Sequence, residues 1–518
     1  MAIARRRAVA LAAAMTLALP LFALAQDMEH HDHPAPERLG VVSFPTSCRP
    51  AVRPAFDRAV ALLHSFAYAL SDQAFADVAA RDPDCAMAHW GMAMTHYHQL
   101  WPPPPSGEEL RQGAAQVRLA ETTGHASPRE RQFIEALAQY YREADQAAPS
   151  VRAQHYTQAW AEVARTYPKD DEAQIFYALA LIANAPPTDK AHADQKRAAA
   201  ILAPIWRRQP QHPGVPHYLI HAYDSAELAP RGLTAARAYS KIAPAAPHAL
   251  HMPSHIFTRM GLWDDSIASN IAARAAAHAQ GDVGEELHAM DYLTYAYLQR
   301  GRYAESAQLV SATRAMTGLN SGQFKIGYAA NAMPVRLAVE RKDWDSATRL
   351  EPLPGSTPAV AGVVYWARAL GHARARPPSS ADADIGHLQD CLGALRSSGD
   401  AYWAAQVDAL VKEARAWRLA AAGGTEPAIA SLRAAADEED AVEKLPVTPG
   451  PIVPAREQLG ELLLQANKPD QALREFQASL ALAPGRRGAL VGAIAAAGAL
   501  GDTQTANRFR AQLTGRAP

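Results

Sequence analysis

Two H-x-x-x-H pairs, His217 with His221 in HYLIH and His251 with His255 in HMPSH, are the residues best placed to do chemistry. A spacing of four puts both imidazoles of a pair on one side of a helix. With 20 histidines in 518 residues, about one such pair arises by chance, so the spacing alone carries little. The register carries more, because His217 to His251 and His221 to His255 are each 34 residues apart. Imidazoles reaching inward from adjacent helices, with a carboxylate nearby, suit Zn, Cu, Ni or Fe, and no thiolate is near in sequence to select among them. Asp224 or Asp291 would be a ligand or would orient a ligand histidine. The alternative is that these histidines are polar residues that bind a peptide or hydrogen-bond among themselves. Pro253, inside HMPSH, would displace His251 relative to His255 unless it falls in a first helical turn.

The elements that must position these side chains are helices. The chain is 49% hydrophobic, rich in Ala and Leu, and shows no period-two enrichment of β-branched or aromatic residues, so almost no sheet is expected. From Pro54 onward the pattern is helix, tight turn, helix, punctuated by Pro or Gly. No glycine-rich phosphate loop, G-x-S-x-G, H-E-x-x-H or C-x-x-C occurs, which removes the common nucleotide, hydrolase and thiol-redox readings and names no catalytic residue.

The clearest unit runs from Ala455 to Pro484, with Leu459-Gly460, Leu463, Ala472, Phe476 and Pro484 at the spacings of a helical-hairpin repeat. On these residues the chain resembles the tetratricopeptide-repeat (TPR) family. Gly261 to Ser266, Gly301 to Ser306 and Lys342 to Ala347 look like that family's mid-hairpin turn. The resemblance implies an all-α, TPR-type α-solenoid, a right-handed superhelix of helical hairpins, with a concave groove that takes a peptide or protein partner. It also implies which positions of each first helix face that groove. His217 and His221, then His251 and His255, fall at the fifth and ninth of them. His248 and His288 fall at the second position of their repeats, Asp224 at the twelfth, and Asp291 and Tyr295 at the fifth and ninth of the last. Blocks such as CAMAHWGMAM (85–94) and HALHMPSHIFTRMGLWDDSIASN (248–270) resemble exported bacterial TPR proteins of unsettled function.

Arg5 to Arg7, the apolar run to Leu24 and the small-residue site around Ala25 read as a secretory signal peptide over 1–25, with a retained anchor as the alternative. A periplasmic or secreted protein is expected, with no membrane segment beyond that signal. Residues 26–53 read as a flexible His-containing N-terminus, 54–373 as the main helical array, 374–384 as a Pro-rich linker, and 385–518 as C-terminal helices with a TPR pair. The stretch 422–452 lacks clear periodicity. An oxidising compartment allows Cys48 to pair with Cys85, leaving Cys391; three unpaired thiols is the alternative. The near-neutral net charge of −1 gives no reason to expect nucleic acid as a partner.

Two readings remain open. One is a protein- or peptide-binding or assembly module with an open groove; the other is a metal-binding protein or metalloenzyme built on the histidines. A covered pocket over the histidines favours the second.

Overall fold

The computed structural model describes residues 37–100 and 103–515. The signal-peptide reading, residues 26–36 of the flexible His-containing segment and Trp101 lie outside the described residues. The described chain is an α-solenoid of TPR type: helix follows helix from Arg53–His64 to Thr503–Leu513, and no strand occurs among the described residues. Consecutive helices pack on one another along the chain, as expected when each hairpin buries its apolar stripe against its neighbours. None of these helices is long and apolar enough to cross a membrane.

Close helix crossings explain the repeat signature. A Cβ at Gly460 would lie 2.7 Å from the Phe476 ring, so the consensus glycine exists to let the consensus phenylalanine in. The mid-hairpin turns place Gly261 and Gly301 at φ of +68° and +69°, and Lys342 takes the same left-handed conformation at +56°. Near the N-terminus Cys48 and Cys85 are bonded to each other, and Cys391 is free.

Three hairpins carry the histidines. Their first helices are Gly214–Ala222, the broken pair Pro247–His251 and Pro253–Arg259, and Val283–Gln299; their second helices are Ala229–Ile242, Trp263–Gln280 and Tyr303–Ala315. Pro253 interrupts the middle first helix but stands at the start of its second segment, where its missing N–H and fixed φ cost little.

The chain folds back on these hairpins. The Thr425–Ala441 helix occupies part of the stretch that shows no periodicity in the sequence; its buried side is Ala428, Ile429, Leu432, Ala435 and Ala436, a stripe too rich in alanine to stand out. Residues 443–452 then cross the array. The Glu443 N–H donates to the Pro187 carbonyl at 2.7 Å, and Arg336 donates to the carbonyls of Gly450 and Pro451. Beyond this crossing, Trp263 Nε1 donates to the Gly485 carbonyl at 3.0 Å and the Arg487 N–H donates to Gln299 Oε1 at 2.9 Å. Fully buried Arg486 binds Glu340 at 2.7 Å and Glu457 at 2.6 Å. Residues from Arg38 on form one compact unit.

Candidate metal centre

Six histidines gather into two triads, His217 with His221 and His248, and His251 with His255 and His288. In each, the fifth and ninth positions of one repeat meet the second position of the next. All six are buried, none more than 8% exposed. Ring centroids lie 4.9 and 5.0 Å from His217 to His221 and His248, and 5.0 and 4.3 Å from His251 to His255 and His288.

On four of the six histidines the outer nitrogen is held by oxygen. His217 Nδ1 donates to the His64 backbone carbonyl at 2.6 Å. His251 Nδ1 donates to Asn270 Oδ1 at 2.6 Å, and the Asn270 amide is oriented by donating to the Ser266 carbonyl at 2.8 Å. His255 Nδ1 donates to Asp224 Oδ2 at 2.9 Å, and His248 Nδ1 to Glu285 Oε2 at 3.4 Å. Both carboxylates are anionic. Burial would raise Asp224, but Lys444 and Arg259 hold it well below the usual carboxylate range. Glu285 is held low in the same way by Lys325 and His248.

These bonds fix the tautomers. With the hydrogen on Nδ1, the Nε2 atoms of His251 and His255 present bare lone pairs to each other at 3.0 Å. His248 Nε2 and His217 Nε2 do the same at 3.2 Å, while His221 Nε2 lies 3.1 Å from His217 Nε2. A neutral pair so arranged is repulsive and has no hydrogen to share. Two nitrogens bound to one ion at about 2.0–2.1 Å lie about 3.3 Å apart on a tetrahedron and about 2.9 Å apart on an octahedron.

Protonation is a poor alternative source of positive charge. Burial and neighbouring histidines push His217, His221, His251 and His288 well below the usual imidazole range, and burial pushes His255 down to about 4 against the pull of Asp224.

Of the residues singled out in the sequence, Asp224 sits behind His255 and carries Arg259 and Lys444, each at 2.9 Å. Asp291 turns away to pair with Arg336 at 2.8 Å, and the Tyr295 hydroxyl accepts from Arg486 at 3.2 Å. Those two fasten the returning chain rather than flank the histidines. The tyrosine against the second triad is Tyr292, four residues after His288, with its ring 4.7 Å from His251 and 5.0 Å from His255. Its hydroxyl donates toward the carbonyls of Pro446 and Thr448, 3.0 and 3.2 Å away. Phe66 backs the first triad, 4.4 Å from His217 and 5.5 Å from His248, from a backbone at φ +54°.

A third group, His64, Glu172 and His212, lies beside the first triad. Here each Nε2 meets a different oxygen of Glu172 at 3.0 Å. Those are ordinary hydrogen bonds that need no ion between the nitrogens and the carboxylate, although His212 Nδ1 is buried without a hydrogen-bond partner. Gly214 stands where the following repeats carry His248 and His288; a Cβ there would lie 2.7 Å from His64 Nδ1. His64 fills that space, and its own carbonyl carries His217.

A cavity of about 130 Å³ adjoins the centre, lined among others by Arg259, Lys444, Glu443, Tyr295, Tyr402 and Trp403. It reaches Arg259 and Lys444, the partners of Asp224, and none of the six histidines lines it.

No family model matches the chain, and no curated protein matches it. Among solved structures it overlaps the anaphase-promoting-complex hetero-tetramer Cut9–Hcn1, at 11% identity and a TM-score of 0.37 over 89% of this chain and 78% of that one. The human IFIT1 dimer with m7Gppp-AAAA gives 9% and 0.36 over 88% and 94%; a monomeric IFIT1 mutant with Gppp-AAAA gives 12% and 0.35 over 83% and 90%. Likeness at this level identifies neither a partner nor an activity.

Proposed function

We propose that this chain is an exported metalloprotein whose histidine triads, His217–His221–His248 and His251–His255–His288, hold transition-metal ions. The observation that carries the reading is the meeting of unprotonated Nε2 atoms at 3.0–3.2 Å with their Nδ1 hydrogens already given to oxygen. A buried arrangement of that kind is costly without a cation between the nitrogens, and the outer oxygens are the partners that metal-bound histidines take. The all-imidazole donor set suits Zn, Cu, Ni or Fe. Export is supported by the N-terminal signal pattern and by the Cys48–Cys85 bond.

Burial limits what the site can meet. A peptide lying over these histidines would have to displace residues 443–452, so the ligands that suit the centre are small. Three protein ligands per ion leave room for such a ligand.

The test is elemental analysis of chain purified from its native compartment without an affinity tag, beside the His221→Ala/His255→Ala double variant. Bound Zn, Cu, Ni or Fe that the variant loses is the expected result. Wild-type protein that is metal-free and takes up none of these ions would overturn the reading and return attention to a groove that binds protein partners.

A further inference from the structure

The two triads adjoin. Between them, His221 lies 5.9 Å from His255 and His248 lies 6.0 Å from His251, ring centre to ring centre. Both separations are smaller than the 6.5 Å found within each triad between its outer members, His221 to His248 and His255 to His288. His221, His255, His251 and His248 therefore form the seam along which the two triads face each other.

Charge points the same way. Neutral imidazoles bring no negative charge to the ions. The two carboxylates behind them are already matched, Asp224 by Lys444 and Arg259, Glu285 by Lys325 at 2.6 Å. Glu172, held by His64 and His212 beside the first triad, is one negative charge without a Lys or Arg partner among the described residues, and two divalent cations in so buried a place, with Phe66 against one triad and Tyr292 against the other, still need an anion from outside the chain. An anion between the triads neutralises both ions at once; two separate anions would double the volume to be accommodated.

Resting on the metal reading above, we infer that the triads form a single dinuclear centre, in which two ions share one small exogenous bridging anion of the hydroxide class. The bridge lies at the seam between His221, His248, His251 and His255, and azide, a linear anion that also bridges metal ions, competes for it. A lone triad retains its ion but has no partner to bridge.

The experiment uses Cu(II) as the probe. The full mature chain is stripped with a chelator, reloaded with Cu(II), and measured for copper content and for spin by electron paramagnetic resonance, with and without azide. The expected result is two coppers per chain with a signal far below one spin per copper, because a bridging anion couples the two unpaired electrons, and an optical change on adding azide. His288→Ala, checked for retained helicity by circular dichroism, should hold one copper at full spin intensity; His248→Ala is the matching variant should His288→Ala fail to fold. Two coppers at full, uncoupled intensity, or one copper in the wild type, would overturn the shared centre while leaving metal binding intact. No copper uptake would remove the metal reading itself.

Discussion

His255 and Asp224 are joined at 2.9 Å, and the same Asp224 carboxylate also receives Lys444 and Arg259. One side chain thus fixes the tautomer of an inner histidine and pairs with two buried cations, one of them from a segment 220 residues further along, the other shared with Glu443 at 3.6 Å.

Asp224→Asn should separate these roles. The amide keeps an acceptor for one neighbour but leaves buried positive charge unmatched, a change that costs about 3–5 kcal/mol when a buried pair is broken. Loss of the orienting partner should weaken metal binding about 10–100-fold. Thermal unfolding of the metal-free form and a competition titration measure the two effects. Unchanged affinity alongside a lowered Tm would confine Asp224 to the fold.

Gly214→Ala tests the support behind the first triad alone. The new methyl meets the His64 ring at contact distances of 2.7 and 2.9 Å, and a shifted His64 moves the carbonyl that holds His217. Destabilisation of about 1–3 kcal/mol is expected from overpacking, with weaker binding of one ion and little change in the other. Stepwise metal titration checks this; equal weakening of both ions would count against the assigned support.

Pairs such as His217 with His251 were legible from the sequence because the repeat copies them 34 residues on, and Asp224 was legible as an orienting group. His248 and His288 were visible on the right face as residues completing or flanking the site, but which pair each one joins was not, since each comes from the next repeat. His64, Phe66 and Lys444 left no local signal: they reach the site from distant parts of the chain. Tyr295 and Asp291 fit the groove pattern, yet Arg486 of the returning chain engages the first, and Arg336, which holds the returning chain at Gly450 and Pro451, engages the second. A repeat consensus describes one hairpin and its neighbours and says nothing of a chain that folds back.

Glu413 gives a pH dependence away from the histidines. It is 1% exposed, accepts from Trp366 Nε1 and Gln458 Nε2 at 2.7 Å each, and is held well above its ordinary 4.5 first by burial and then by Glu439. The folded state therefore binds this proton more tightly than the unfolded one, so stability is full below about pH 4.5 and falls as pH rises, by at most about 1.4 kcal/mol per unit. Glu413→Gln should match the wild type at pH 4 and exceed it in Tm at pH 8. An equal or lower Tm at pH 8 would contradict the assignment.

The Cys48–Cys85 bond closes a loop with a sequence separation of 37. Chain-entropy reasoning gives about 4 kcal/mol for a loop of that length. The Cys48→Ser/Cys85→Ser variant should unfold at lower denaturant concentration than the oxidised wild type, and reductant should lower the wild-type midpoint toward it. Because the bond lies outside both triads, metal content should not change.

The crossing of residues 443–452 over the hairpins sets an order of events. The six histidines lie within residues 217–288, while Lys444 and the carbonyls of Pro446 and Thr448, which close on Asp224 and Tyr292, come more than 150 residues later. A chain that emerges N-terminus first folds its early units first, so the nest of imidazoles is assembled before its cover arrives. On the metal reading, an ion that enters while the imidazoles are still uncovered would be shut in when residues 443–452 dock, so the segment would act as a door on the centre.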